Sequence, residues 1–330
     1  MDGCAATDLP TSKETLQRSE RVSTFRYVVC DVFTDRPLAG NQLAVFTDAT
    51  DIPDDLLQPL ARELNYSETV FVYRPEAGGT VRIRIFTPTS EMPFAGHPVL
   101  GTAFVLAGPL QTDEIRLETQ KGIVPVALER DGARIVFGRM EQPNPVVERF
   151  EREADLLAAL GVERSELPVE LYDLGIRHVL VALPSEAAVA DLRPDLTALG
   201  GLQGVVGTVC FAGEGSRWKA RMFAPADGVP EDPATGSAAG PLACHLARHG
   251  RIAFGDEIEI RQGEEVGRPS LLYARAEGSP ERIERVEVGG SAVVVARGEF
   301  RLPSYPQATS RISGSSTPSA RQKTPPSRET

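Results

Sequence analysis

Cysteine is scarce in this chain. There are four, Cys4, Cys30, Cys210 and Cys244, and no C-x-x-C pair among them. That spacing gives neither a zinc ribbon nor a disulfide framework, and it points to buried or incidental thiols in a reducing compartment. Positive charge is also outweighed: Lys and Arg number 35 against 46 Asp and Glu, a formal net charge of -11. No basic excess remains to neutralise phosphates, which argues against nucleic acid and anionic membranes as partners. Small anions, met by local groups, stay open. No run approaches the roughly 18 apolar residues of a membrane span. The opening stretch MDGCAATDLPTSKETLQRSERVS has no apolar core of a secretory signal, so a cytoplasmic location is expected. No G-x-G-x-x-G fingerprint occurs, so no dinucleotide site is expected.

What is present is an ordinary globular balance, 41% hydrophobic and 25% charged, over 330 residues. That length is comfortable for two domains. Residues 1–23 are polar and are expected to form a disordered leader. Residues 303–330, rich in Ser, Thr, Pro and Arg, are expected to form a flexible tail. The body between them has strand alternation in SETVFVYR and VRIRIFTP and a strand meander from Glu114 to Met140. Helical spacing appears at Asp54–Asn65, where Leu56, Leu57, Leu60 and Leu64 share a face. Further helices are expected after Gly96, with Pro98 suited to a first turn, over Arg149–Leu160, and after Thr235.

The chain also resembles itself. Sliding it by 137 residues lays RIFTPTSEMP (Arg84–Pro93) on RMFAPADGVP (Arg221–Pro230). Arg84 meets Arg221, Phe86 meets Phe223, Pro88 meets Pro225 and Pro93 meets Pro230. Each segment leaves a strand, crosses a turn and enters a helix rich in small residues. This duplication predicts two similar α+β halves whose helix N-termini meet at one cleft. A helix N-terminus presents unpaired N–H groups and the positive end of the helix dipole. Small residues such as Gly236, Ser237 and Ala238 let an anion approach that backbone closely. ATGSAA is thus a candidate carboxylate cradle and FAGHPVLG its counterpart, although Ser or Thr before a helix also serves as a simple N-cap.

Three polar residues stand out beside these segments. Glu68 shares a strand face with Val70 and Val72, where a carboxyl group is either at a solvated strand mouth or half-buried with a raised pKa. The second case suits a general acid/base. His97, between Gly96 and Pro98, is either a surface or capping histidine or a donor in the cleft. Asp232 either complements a helix dipole or orients His97 and the substrate. His245 and His249 have metal spacing on one helix, but without H-E-x-x-H or an evident third ligand. They are expected to cap carbonyls before Gly250, and no metal site is expected. Pro241 removes a helical N–H bond, so the helix after Thr235 should start late or kink.

Five segments occur together in order: DVFTDRPLAGNQLAVF, NYSETVFV, FTPTSEMPFAGHPVLGTAFVL, EDPATGSAAGPLACHLARHG and RQGEEVGRPS. They resemble the PhzF-like family, named for phenazine biosynthesis. The resemblance implies a diaminopimelate epimerase-like fold: two similar halves, each a β-sheet wrapped around a central helix, with the active site in the cleft between them. The halves would be 24–142 and 143–302, with the last strand free to cross to the first half. It also implies a homodimer and cofactor-free isomerisation, in which a glutamate moves a proton between carbons of a small carboxylic acid. Glu68 matches that glutamate. His97, Asp232 and Ser237 match the substrate-binding positions, and Gly236 and Ser237 would offer backbone N–H groups to the carboxylate. Related racemases place a cysteine pair at the two helix starts, which here carry Gly96-His97-Pro98 and Thr235-Gly236-Ser237. A two-thiol mechanism is therefore disfavoured. The alternative from another class is a binding protein that kept the fold and lost the chemistry.

Overall fold

The computed structural model describes residues 22–202, 204–205 and 207–303. The chain opens with β1 (Val22–Val32) and β2 (Asn41–Phe46), followed by α1 (Asp54–Leu64). Next come β3 (Glu68–Tyr73), β4 (Val81–Phe86), the short β5 (Glu91–Met92) and α2 (Gly96–Leu110). A meander follows, β6 (Glu114–Thr119), β7 (Gly122–Asp131) and β8 (Arg134–Gln142). β9 (Val146–Arg149) and α3 (Glu153–Leu160) lead to β10 (Glu170–Asp173) and β11 (Arg177–Ala182). Two short helices, α4 (Glu186–Ala190) and α5 (Leu196–Gly200), precede β12 (Gly207–Glu214) and β13 (Arg217–Ala224). A 3-10 turn (Pro225–Asp227) enters β14 (Val229–Asp232) and then α6 (Gly236–Arg248). The last strands are β15 (Glu257–Gln262), β16 (Ser270–Gly278), β17 (Ile283–Gly290) and β18 (Ala292–Pro303).

The strand pairings repeat. β1 is antiparallel to β2, β2 parallel to β3, β3 antiparallel to β4, and β4 antiparallel to β5 and parallel to β6. In the same order, β10 is antiparallel to β11, β11 parallel to β12, β12 antiparallel to β13, and β13 antiparallel to β14 and parallel to β15. Each series then continues as an antiparallel meander, β6–β7–β8 and β15–β16–β17. The duplication expected from one short window is thus written through the topology. Two similar halves result. β17 pairs with β8 and β18 with β1, which joins the two series into one sheet network.

Each series encloses one helix. α2 packs against β2, β3, β6, β7 and β8, and α6 against β11, β15, β16 and β17. α2 is largely apolar all round after His97, and α6 is apolar and small until its last turn, as helices surrounded by sheet require. Within α6 every residue from Gly236 to Ala247 is buried. Pro241 lies inside it, and the helix begins at Gly236, so the late start is excluded. By contrast α1 is amphipathic. It buries Leu57, Leu60 and Ala61, carries Asp54 and Asp55 in its first turn and Arg62 in its last, and stops at Asn65 in the left-handed region. A second apolar cluster, including Leu156, Leu160, Val179, Val189, Leu199 and Phe223, seats α3, α4 and α5 on the outside of the second series.

Three expected boundaries move. The helix expected over Arg149–Leu160 starts only at Glu153, because Val146–Arg149 pairs with β10 as a strand. Residues 22–23 belong to β1 rather than to a leader, and Pro303 to β18 rather than to the tail; the rest of 1–23, and 304–330, lie outside the described residues. No helix among the described residues is long and apolar enough to cross a membrane.

Candidate active site

The helices α2 and α6 meet start to start. A Cβ added to Gly96 would stand 2.5 Å from both the Gly236 carbonyl carbon and the Ser237 nitrogen, and one added to Gly236 would stand 3.1 Å from the Gly96 carbonyl carbon. Only glycine permits this approach. Two sets of orphan N–H groups and two positive dipole ends therefore converge. Gln142, at the end of β8, donates from Nε2 to the Gly236 carbonyl at 2.8 Å and pins the α6 start.

A cleft of about 460 Å³, counting its open mouth, lies over this junction. Glu68, His97, Asp232, Gly236 and Ser237 all line it, so the structure brings the five sequence-selected positions together. Glu68 begins β3 and its side chain is 15% exposed, but its Oε2 is closed off. That oxygen stands 3.2 Å from His97 Nε2, without the alignment of a hydrogen bond, and neither atom has another partner. Burial, together with the charges of Asp232 and Asp227, raises the Glu68 pKa well above the usual carboxylate range. His97 is driven down to about 3 by burial, against a hydrogen bond to the Gln42 backbone, so it is neutral at physiological pH.

Asp232 is held from three sides. Oδ1 accepts from Asn41 Nδ2 at 2.8 Å and Ser67 Oγ at 3.0 Å, and Oδ2 accepts from Thr235 Oγ1 at 2.6 Å. Burial raises its pKa, and these three bonds oppose the rise. Gln262 Nε2 donates to the Asp232 carbonyl and to Thr235 Oγ1, while its Oε1 accepts from the Thr235 N–H. Asn41 also donates to the Ala234 carbonyl at 2.9 Å, which ties β2 to the approach to α6. On the far side of the cleft, Ser237 Oγ lies 3.0 Å from Nε2 of His178, on β11.

His178, Asn41, Asp227, Gln142 and Gln262 were not singled out by the sequence. His178 sits in the apolar strand IRHVLVAL and has the look of a core histidine there. Asn41 follows a turn-like stretch and opens a strand, so its polarity passes as punctuation. Their partners are remote in the chain, and only a strand-by-strand extension of the internal repeat would have drawn attention to His178.

His245 and His249 do not cap carbonyls. Both turn to Glu170 of β10: His245 Nδ1 is 3.2 Å and His249 Nε2 3.0 Å from its Oε2. A third metal-type side chain is therefore present after all, 75 residues before His245 in the chain. The shared oxygen is already taken by Arg248 at 2.8 Å and by the Tyr172 hydroxyl at 3.0 Å. The cluster joins β10 to the end of α6. The described thiols, Cys30, Cys210 and Cys244, are all buried, outside the cleft, and pushed well up by burial. Protonated thiols are poor nucleophiles and bases.

Two wrapped helices meeting over an acid-lined cleft define an epimerase-like isomerase fold. A solved hydroxyproline epimerase from Agrobacterium vitis matches at TM-score 0.61 with 13% identity, over 85% of this chain and 93% of that one, which shows the fold alone. A Bacillus anthracis phenazine biosynthesis protein of the PhzF family matches at TM-score 0.73 and 23% identity, over 84% of this chain and 99% of that one. The family model described as phenazine biosynthesis-like protein matches residues 30–298. The trans-2,3-dihydro-3-hydroxyanthranilate isomerase of Pseudomonas aeruginosa is 54% identical over 277 residues, 84% of this chain and 99% of its own length. The chain belongs to the phenazine biosynthesis-like family, and it is an isomerase.

Proposed function

We propose that Glu68 is the general acid/base of a proton-shifting isomerase acting on trans-2,3-dihydro-3-hydroxyanthranilate or a close relative of it. The observation that carries this is the state of Glu68: its Oε2 is shielded and unpartnered by an aligned hydrogen bond, on a residue that lines the cleft above two abutting helix starts. Carbon acids are weak. A carboxylate of raised pKa is a stronger base, and preorganised N–H groups stabilise the negative charge that develops. In the proposed step Glu68 takes a proton from one ring carbon. The electron pair shifts through the conjugated ring, and Glu68 returns the proton to a second carbon. Atoms and electrons balance within one substrate, so no redox partner enters.

The carboxylate would lie against the N–H groups of Gly236 and Ser237, and the amine and hydroxyl against Asp232 and neutral His97. The 54% identity to the Pseudomonas aeruginosa isomerase supports this substrate class. A homodimer and a cytoplasmic location belong to the same proposal; light scattering on the purified protein tests the first.

The reaction is tested in D2O with trans-2,3-dihydro-3-hydroxyanthranilate, by following ring hydrogens with NMR. Wild type should convert the substrate, with deuterium at the accepting carbon to the extent that Glu68 exchanges its proton with solvent before returning it. Glu68→Gln, which keeps the shape, should lower the rate by on the order of 10²–10⁴-fold. Full activity in a folded Glu68→Gln protein would remove the acid/base role. No turnover of this substrate by wild type would remove it as the substrate of this isomerase.

A further inference from the structure

The strand register reveals how the two halves differ at the cleft. Thr69 pairs with Phe86, and Thr208 with Phe223. One residue earlier, Leu43 pairs with Glu68, while His178 pairs with Gly207. Gly207 is therefore the counterpart of Glu68, and His178 the counterpart of Leu43. The second half has no side chain at the glutamate position, and an imidazole occupies the space: a Cβ on Gly207 would stand 2.6 Å from His178 Nδ1. Glu68 faces His97 at the start of α2, and His178 faces Ser237 at the start of α6.

The two nitrogens of His178 are not equivalent. Nε2 meets the Ser237 hydroxyl at 3.0 Å. Nδ1 is buried and has no hydrogen-bond partner, and the same hypothetical Gly207 Cβ would be 3.1 Å from Met222 Sδ, so a thioether lies on that side. A buried N–H left unpaired is rarer and less tolerated than an idle acceptor. The proton therefore belongs on Nε2, donating to Ser237 Oγ. A hydroxyl has one proton. With Oγ accepting from His178, the Ser237 proton is free to point into the cleft, beside the N–H groups of Gly236 and Ser237. That corner then offers donors only.

We infer that His178 is a positioning residue that fixes the polarity of Ser237, so that this corner of the cleft selects a carboxylate and rejects a group that must itself donate, such as a carboxamide. The polarity rests on the geometry alone; the selectivity also rests on the reaction proposed above.

Two measurements test it, and neither needs turnover. The first is the tautomer of His178 in the free protein, by ¹⁵N-detected side-chain NMR, with the signal assigned by its loss in His178→Gln. The expected state is Nε2–H with a bare Nδ1. The second is calorimetric binding of anthranilate and of 2-aminobenzamide. Wild type should favour the acid by about tenfold or more, the weight of one charge-assisted hydrogen bond. His178→Leu should erase most of that ratio, and His178→Gln, which keeps a donor near the Nε2 position, should restore it. A proton on Nδ1 in wild type overturns the inference, as does an unchanged ratio in folded His178→Leu. If wild type binds neither probe, the reaction assignment falls, and the tautomer alone decides the role of His178.

Discussion

Glu68 and Gly207 occupy the same place in two copies of one strand pattern, and only one of them carries a side chain. The cleft is thus asymmetric although the scaffold is duplicated. Glu68, the proposed acid/base, stands on one side and the Gly236–Ser237 helix start on the other. A racemase that works from both faces of a carbon needs a proton-transfer group on each side. The reaction proposed above uses one, Glu68, which suits moving a proton along a single face of a ring.

Asp232 and Glu68 are electrostatically linked, since the Asp232 charge helps raise the Glu68 pKa. Asp232→Asn removes that charge and should lower the pKa of Glu68. Its basic form would then persist to lower pH. The acidic limb of the kcat/KM–pH profile should therefore move to lower pH, whatever happens to the maximum. A limb that stays in place or moves up would show that Asp232 does not act on Glu68.

The raised pKa of Glu68 has a stability consequence of definite sign. A folded-state pKa above the unfolded value gives stability at low pH that is lost as pH rises through the folded pKa. Gln cannot ionise and escapes that loss. Glu68→Gln should melt close to wild type near pH 4 and progressively above it toward pH 8, by roughly 2 °C for each kcal/mol recovered. An equal offset at both pH values would contradict the shift.

Arg84 and Arg221 are repeat counterparts, each in a two-pronged pair, with Glu91 and Glu231 respectively. Their surroundings differ. The Arg84 side chain is 23% exposed, whereas that of Arg221 is 7% exposed and also donates to the carbonyls of Val189, Ala190 and Leu192 at the end of α4. Arg221→Ala should destabilise by about 3 kcal/mol, because it strands the mostly buried Glu231 carboxylate and three carbonyls. Arg84→Ala should cost no more than about 1 kcal/mol. Urea unfolding of the two variants decides the comparison, and similar losses would refute it.

The sequence disclosed the parts of the site that are local. Glu68, His97, Asp232, Gly236 and Ser237 sit in short segments whose small residues and helix starts have a chemical meaning on their own. The repeat was visible only where β4 and β13 enter their turns, because the offset of 137 holds there alone. Thr69 and Thr208 are farther apart than that, and Ala44 and Val179 closer, since loop lengths differ between the copies. His178 was hidden for this reason. Asn41, Gln142, Gln262 and Glu170 act on partners that only the folded chain brings near, and no local pattern marks them. The 142/143 division falls at the end of β8 and is the limit we propose between the halves.

The pairing of β1 with β18 also bears on how the molecule is made. Of the described strands, the first to be synthesised takes β2 on one side, and on the other waits for the last, β18. Until Ala292 and its successors leave the ribosome, β1 presents an open edge of unpaired N–H and C=O groups. Closure of such a sequence-distant pair is slow in comparison with local hairpins. A chain cut short before β18 therefore loses more than a terminal strand: it keeps a nascent-chain edge exposed, and the penalty falls on yield and solubility even though the residues of the cleft are all present.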